Sequence, residues 1–222
     1  MNYDAALFDL DGTLLNTIPD LADATNAMRV QMNMAPLSVD LIATYVGKGT
    51  ENLVARALAP DLGASATDEQ IRTGLDIFYR CYHLINGDKT AVYAGVVEGL
   101  SELREMGVKM AVVTNKPTEF TLPLLQRSGL AHYFDAVVCG DTCARKKPDP
   151  LPYLHGCELL DVQPARAFVV GDSMNDAQAA RAAGITVLAV PYGYNEGHSV
   201  HNLPVDGIVP SIADAVQWAK AH

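Results

Sequence analysis

Leu7-Phe8-Asp9-Leu10-Asp11-Gly12-Thr13-Leu14-Leu15 is the stretch whose reading decides the fold of this 222-residue chain. The apolar run from Ala5 to Phe8 is long enough for a fully buried strand, and Gly12-Thr13 is a turn signal. Between them Asp9 and Asp11 are spaced i, i+2, so extended backbone turns both to the same side. Carboxylates at the C-terminal end of a buried parallel strand lie where open α/β sheets build their sites. Like charges held that close need a cation, a shared proton or separate loop geometry. A single Asp before Gly reads as a turn residue or a helix cap; the nonamer as a whole reads as a site.

Downstream of Leu15 the pattern changes. From Thr17 to about Asp88 it is helical, with no convincing strand. Pro19 suits a first helical turn, followed by Leu21, Ala24, Thr25 and Met28 on one face. Ser38 can cap a second helix carrying Leu41, Ile42 and Tyr45, which Gly47-Lys48-Gly49 breaks. Thr50 can start a third helix with Leu53, Val54, Ala57 and Leu58 apolar. Thr67-Asp68-Glu69-Gln70 reads as a capping box, and Ile71, Leu75, Phe78, Tyr82 and Ile85 follow as a core-packing stripe. A helical insert over 17–88 therefore separates residues 1–16 from residues 89–222.

From Val92 onward strands and helices alternate. Val97, Leu100, Leu103 and Met106 predict a helix closed by Gly107, and Val108–Thr114 a strand. Thr118–Ser128 is a helix despite Pro123, Ala136–Cys139 a strand, and Asp149-Pro150 the cap and first turn of a helix through Leu160. Ala167–Val170, Asp176–Ala183, Thr186–Val190, a short strand near Ile208 and a helix over Ile212–Ala221 complete the order. This alternation predicts an α/β fold, a Rossmann-like doubly wound parallel sheet with right-handed crossovers, carrying a small all-helical cap inserted after the first strand.

The bulk composition narrows the function classes. The chain is 49% hydrophobic and 19% charged, an ordinary globular balance with enough apolar residues for a sizeable core. Its formal charge is −10, with a pI near 4.9. That argues against nucleic acid or an acidic membrane as partner, because both require clustered Lys and Arg. No signal peptide and no membrane span are read. The four cysteines, Cys81, Cys139, Cys143 and Cys157, form no CxxC and have no His at zinc-ligand spacing. They read as buried free thiols in a reducing cytoplasm.

Every candidate chemical residue follows a strand. Thr114-Asn115 ends Met110–Val113, where a hydroxyl and backbone N–H groups make an anion cradle. Arg145-Lys146-Lys147-Pro148 is the densest positive cluster of an acidic chain. Gly171-Asp172-Ser173-Met174-Asn175-Asp176 follows Phe168–Val170, and its hard carboxylate oxygens suit Mg²⁺. Asp176 lies one helical turn on, where helix-dipole pairing alone would also explain it.

Asp9-Leu10-Asp11-Gly12-Thr13-Leu14 resembles the first motif, DxDGT[L/V], of the haloacid dehalogenase-like hydrolases. Thr114, Lys147 before Pro148, and Gly171-Asp172-(x)₃-Asp176 match the second, third and fourth in order. Within the superfamily the chain is most similar to bacterial phosphoglycolate phosphatases, over nearly its whole length. The resemblance implies Asp9 as nucleophile and Asp11 as general acid/base. It implies Thr114 and the Asn115 amide as phosphoryl holders, and Lys147, rather than Lys146, as the charge stabiliser. Bound Mg²⁺ would sit on Asp9, the Asp11 carbonyl and Asp172, with Asp176 orienting the metal waters or Lys147.

Tyr45 to Leu53 resembles a cap segment of the same phosphatases. Gly47 and Gly49 allow close approach of backbone to a small ligand. Lys48 either pairs with a substrate carboxylate or faces solvent from a plain helix–helix turn. Tyr192-Gly193-Tyr194-Asn195 is a further similar segment to which no contact is assigned, and His198 and His201 read as loop residues. The activity implied is Mg²⁺-dependent hydrolysis of 2-phosphoglycolate, a small phosphorylated metabolite, through an aspartyl-phosphate, by a monomer or homodimer. The alternatives are a phosphatase or mutase acting on a small sugar phosphate, or a non-catalytic phosphate-ester-binding domain. Asp11 counts against a dehalogenase, and Lys48 leaves room for a phosphonate hydrolase using a Schiff base.

Overall fold

The computed structural model describes residues 2–62 and 66–222. Residue 1, and residues 63–65 inside the expected helical insert, lie outside the described residues. β1 (Ala5–Phe8) is the centre of a six-stranded parallel sheet with β4 (Lys109–Val113), β5 (Ala136–Val138), β6 (Ala167–Gly171), β7 (Thr186–Ala189) and β8 (Gly207–Ile208). The strand order is β5-β4-β1-β6-β7-β8. β1 pairs on both edges, Leu7 with Ala111 and with Val169, which is why its residues are apolar without interruption.

The pleat sorts those residues between two layers. Ala6 and Phe8 pack under α5 (Val96–Glu105), α6 (Thr118–Arg127) and α9 (Ile212–Ala221). Ala5 and Leu7 pack under α7 (Leu151–Leu160) and α8 (Met174–Ala182) on the other face. Each β-to-α loop therefore opens at the C-terminal edge of the sheet, and the strand order reverses beside β1, so a crevice forms there.

Between β2 (Leu15–Asn16) and β3 (Ala91–Val92) the chain makes α1 (Ile18–Gln31), α2 (Val39–Ala43), α3 (Thr50–Leu62) and α4 (Asp68–Ile85). These helices bury their own cluster, including Met28, Ile42, Leu53, Phe78 and Tyr82, closed at its base by Phe120 of α6. β2 and β3 pair antiparallel, so the outgoing and returning connections run side by side. Asp20, fully buried in α1, stitches them: its carboxylate accepts from the Gly87, Lys89 and Thr90 amides and the Thr90 hydroxyl, at 2.7–3.1 Å.

Several local expectations shift in phase or extent. On α4 the buried stripe is Gly74, Ile77, Phe78 and Tyr82, while Ile71, Leu75 and Ile85 are half-buried. The cause is a close helix crossing at Gly74, where a Cβ would come within 2.8 Å of Val54. On α5 the buried face is Val96, Gly99, Leu100 and Leu103, leaving Val97 and Met106 exposed, because Gly99 lets the Ile212 backbone of α9 approach. Tyr45 lies beyond the end of α2. α7 starts at Leu151 behind Pro150, and Asp149 still caps it by accepting from the Leu151 amide. α8 begins at Met174 rather than Asp176. α6 continues through Pro123. No helix among the described residues is long and apolar enough to cross a membrane. The four cysteines are free, Cys139 and Cys157 buried, Cys81 and Cys143 half-buried.

Candidate active site

Four strand ends meet in front of β1. Asp9 continues β1, its amide donating to the Val170 carbonyl of β6 at 3.0 Å. The Gly12 turn that follows has φ +91°, and a Cβ there would fall 2.5 Å from an Asp172 carboxylate oxygen. Glycine is thus required twice over, for its backbone and for its lack of bulk.

Lys147, from the loop after β5, reaches in beneath these carboxylates and is 4% exposed. Its ammonium donates at 2.7 Å to Asp9 Oδ1, to Asp176 Oδ1 and to the Val113 carbonyl of β4. All three of its protons are used. Asp176 is equally saturated: Oδ1 also accepts from Tyr153 Oη, and Oδ2 from the Ser173 hydroxyl and the Ser173 and Asp172 amides. It is the third residue of α8 in a capping box with Ser173, so helix capping and the grip on Lys147 hold together.

Carboxylate oxygens of Asp9, Asp172 and Asp176 all lie within 4.8 Å of one another, and all three residues are buried. One ammonium cannot balance them. Burial pushes Asp9 well above the ordinary carboxylate range, with Asp176 and Asp172 adding to the rise and Lys147 opposing it. Burial, then the charge of Asp176, pushes Asp172 up to about 7. Burial also works against the charge on Asp176, but Lys147, Ser173 and Tyr153 more than offset it and hold the group below its usual value. The surplus negative charge on hard oxygens is what a divalent cation requires. Asp9 and Asp172 have the oxygens least committed to other partners, so the donor set fits such an ion.

Asp172 is held by a segment whose role the sequence left open. The Tyr194 amide donates to its Oδ2 at 2.6 Å, and the Thr13 hydroxyl lies 3.3 Å from its Oδ1. A Cβ at Gly193 would overlap the Asp172 side chain. Tyr192 Oη donates to the Thr13 carbonyl, and Tyr194 Oη accepts from the Thr17 amide at 2.8 Å. Tyr192 to Asn195 is therefore a strap across the acidic cluster, tied also to the start of the helical insert. His198 is an exposed loop residue, whereas His201, also exposed, lies in a short 3-10 turn over Val200–Asn202.

Asp11 lies beside this cluster, 3.0 Å from Lys116 Nζ and 2.6 Å from the Thr17 hydroxyl. Lys116 is buried, and its ammonium sits 4.8 Å from the centre of the Tyr82 ring of α4. Burial works against its charge, but Asp11 and Tyr82 outweigh that and hold it above an ordinary lysine. From the sequence Lys116 has no assigned role. Nothing in the one-dimensional pattern separates it from a solvated lysine.

Thr114 and Asn115 line the same cleft with Asp9, Asp11 and Lys116. Asn115 is also a brace: its amide donates to the Lys147 carbonyl at 2.9 Å and to the Gly47 carbonyl at 3.0 Å, and its Oδ1 accepts from the Lys147 amide. Gly47 is thereby drawn into the site. The opposite wall is Leu21, Val46, Gly47, Gly49, Thr50 and Leu53, all from the insert. Lys48 does not line it. Its ammonium pairs with Glu196 at 2.7 Å, and its side chain is 46% exposed. Lys146 is exposed, as is Arg145, which pairs with Asp149.

A family model described as haloacid dehalogenase-like hydrolase matches residues 6–190. The chain is 49% identical to a phosphoglycolate phosphatase of Nitrosospira multiformis, over 96% of this chain and 94% of that one. It is 44% identical to a phosphoglycolate phosphatase of Thiobacillus denitrificans, over 95% and 93%. A crystal structure described as a predicted phosphoglycolate phosphatase from Haemophilus somnus 129pt superposes with a TM-score of 0.93 at 32% identity, covering 99% of both chains.

Proposed function

The chain belongs to the haloacid dehalogenase-like hydrolases, and from that premise we propose that it is a phosphoric monoester hydrolase that releases phosphate from 2-phosphoglycolate. The observation that carries the chemistry is the buried Asp9–Lys147–Asp176 bridge, at 2.7 Å on each side, with Asp11 two residues from Asp9 on the same cleft. It supports a reading in which a nucleophile, a fixed cation and a separate acid/base group share one small space.

Asp9 attacks phosphorus in line and forms an aspartyl-phosphate. Asp11 donates a proton to the departing ester oxygen and later takes one from the water that cleaves the acyl-phosphate. Thr114 and the Asn115 amide hold the phosphoryl oxygens, and Lys147 neutralises the charge that develops on them. Asp9 and Asp172 would hold Mg²⁺ with the Asp11 carbonyl, while Asp176 keeps Lys147 in place. When bound, that ion supplies charge neutralisation at the phosphoryl group and restores the charged form of Asp9 that burial opposes. Residues 17–88 act as a cap on the 1–16 and 89–222 core: Leu21, Val46 and Leu53 exclude water from the cleft, and the β2–β3 ribbon is the hinge.

The choice of 2-phosphoglycolate is supported by the relatives named above and by the small, largely uncharged cap wall. Phosphate release from 2-phosphoglycolate, set beside a panel of sugar phosphates with Mg²⁺ and with EDTA, tests it. A strong metal-dependent preference for 2-phosphoglycolate is expected. Equal or better turnover of a sugar phosphate would discard the substrate and keep the mechanism. Tight ester binding without turnover by folded protein would discard both.

A further inference from the structure

The substrate proposed above carries two anions, and the groups assigned so far account for one. In 2-phosphoglycolate the carboxylate is separated by a single methylene from the ester oxygen that Asp11 protonates. Whatever recognises that carboxylate must lie close to Asp11. The sequence pointed to Lys48, but Lys48 is turned to Glu196 and lies outside the cleft wall. The cap side of that wall carries no charged group among its described residues. Lys147 has no proton left to donate.

We propose that Lys116 binds the carboxylate of the substrate and is the residue that selects a phosphorylated hydroxy acid over a neutral ester. This rests on the substrate reading above. Lys116 lines the cleft beside Asp11 and Thr114. Its side chain is 5% exposed and its ammonium is 3.0 Å from Asp11 Oδ1. One of its three protons goes to Asp11, and the ammonium leans on the Tyr82 ring. Donor capacity remains toward the cleft. A carboxylate arriving there meets a fixed, desolvated cation, the setting in which a charge-assisted hydrogen bond is strongest. The two-residue step from Thr114 to Lys116 then spans both ends of the substrate: the hydroxyl takes the phosphoryl group and the ammonium takes the acid. The cap contributes the Tyr82 ring that holds the lysine and the apolar wall that keeps water off it.

The test compares 2-phosphoglycolate with 2-hydroxyethyl phosphate, which replaces the carboxylate by a neutral CH₂OH, and reads the ratio of their kcat/KM values. Loss of a buried, hydrogen-bonded charge pair corresponds to about a 100-fold drop in that ratio. Lys116→Met should lower it by this much, mainly through KM for 2-phosphoglycolate, and Lys116→Arg should restore part of it. Lys48→Met should leave the ratio as it is. A Lys116→Met protein that slows both esters alike, with the ratio preserved, would overturn the proposal and leave Lys116 as a positioning residue for Asp11. A ratio lost in Lys48→Met and kept in Lys116→Met would overturn it in favour of the cap lysine. If the unaltered enzyme shows no preference between the two esters, the substrate reading itself fails. Circular dichroism checks folding, and if Lys116→Met does not fold, Lys116→Gln, which keeps an N–H donor, is read by the same ratio.

Discussion

The floor of the cleft is polar and saturated: Lys147 has three acceptors, Asp176 five donor contacts, and Asn115 braces two loops. The roof is Leu21, Val46, Leu53, two glycines and Thr50, with no charge among these described residues. Asp9, Thr114 and Asp172 follow β1, β4 and β6, each paired on both edges, while Lys147 follows the edge strand β5. The roof hangs from a two-residue ribbon and the Asp20 carboxylate, and meets the floor through single hydrogen bonds such as Asn115 to Gly47 and Thr17 to Tyr194. A charged group in a low-dielectric site is effective only if it is held still, because reorganisation would cost what the charge contributes. A surface that must move aside for substrate cannot be tied in that way. The contrast agrees with the division proposed above, in which chemistry and recognition of ligand charge belong to the floor and closure to the roof.

The contrast breaks most visibly at Asp9. Asp9→Asn should reduce phosphate release by at least about 10⁴-fold with the fold intact, since the nucleophile has no substitute. Retained turnover in pure protein would remove Asp9 from that role. Lys147→Met should follow, with activity down by about 10³-fold and stability down by about 3–5 kcal/mol in urea unfolding, because Asp176 is left charged and unpaired. An unchanged unfolding midpoint would mean that the floor is not the tied network described.

A roof substitution should look different. Leu53→Ala should cost about 2–5 kcal/mol of stability, the usual range for a buried Leu, and raise KM more than it lowers kcat. The reverse split in steady-state kinetics would make the roof part of the chemical step.

The acidic cluster predicts a pH trend specific to the metal-free protein. Asp172 is pushed up to about 7 by burial and then by Asp176, and burial raises Asp9 as well. The fold therefore binds protons there more tightly than the unfolded chain, and it gains stability as pH falls from about 8 through about 7 toward the ordinary carboxylate range. The melting temperature in EDTA should rise from about pH 8 to about pH 6, and added Mg²⁺ should flatten that rise because protons and cation compete for the same oxygens. A flat or falling melting temperature in EDTA would contradict the surplus of buried negative charge. The smallest effect belongs to Glu196→Gln, which frees Lys48 and Arg56 on the cap rim. Pairs this exposed contribute under about 1 kcal/mol, so stability and KM should move little and less still at high salt. A large change would show that the roof is latched rather than hung.

Much of this arrangement is legible in one dimension. Alternating apolar runs and helical stripes specify a parallel sheet, since buried strands and amphipathic helices leave different periods in the chain. The turn at Gly12, the capping box at Thr67 and the cap at Ser38 are local chemistry, written within four residues and realised as such. Helix phase was less secure. Val97 and Met106 fit a stripe as well as Val96 and Gly99 do, and only the neighbouring α9 backbone selects between them.

What the sequence alone determined is which strand ends carry carboxylate, hydroxyl and ammonium, because the parallel topology delivers every such loop to one edge of the sheet. What the tertiary structure alone decided is how those groups divide the work. Lys116 and Lys48 are indistinguishable as letters. One is buried 3.0 Å from Asp11 under an aromatic ring, and the other is spent on Glu196 at the rim. The segment from Tyr192 to Asn195 stands out in the chain without a contact to assign to it, and in the fold it grips Asp172. These outcomes depend on distances between residues far apart in sequence, and so on packing between elements rather than on any local preference of the chain.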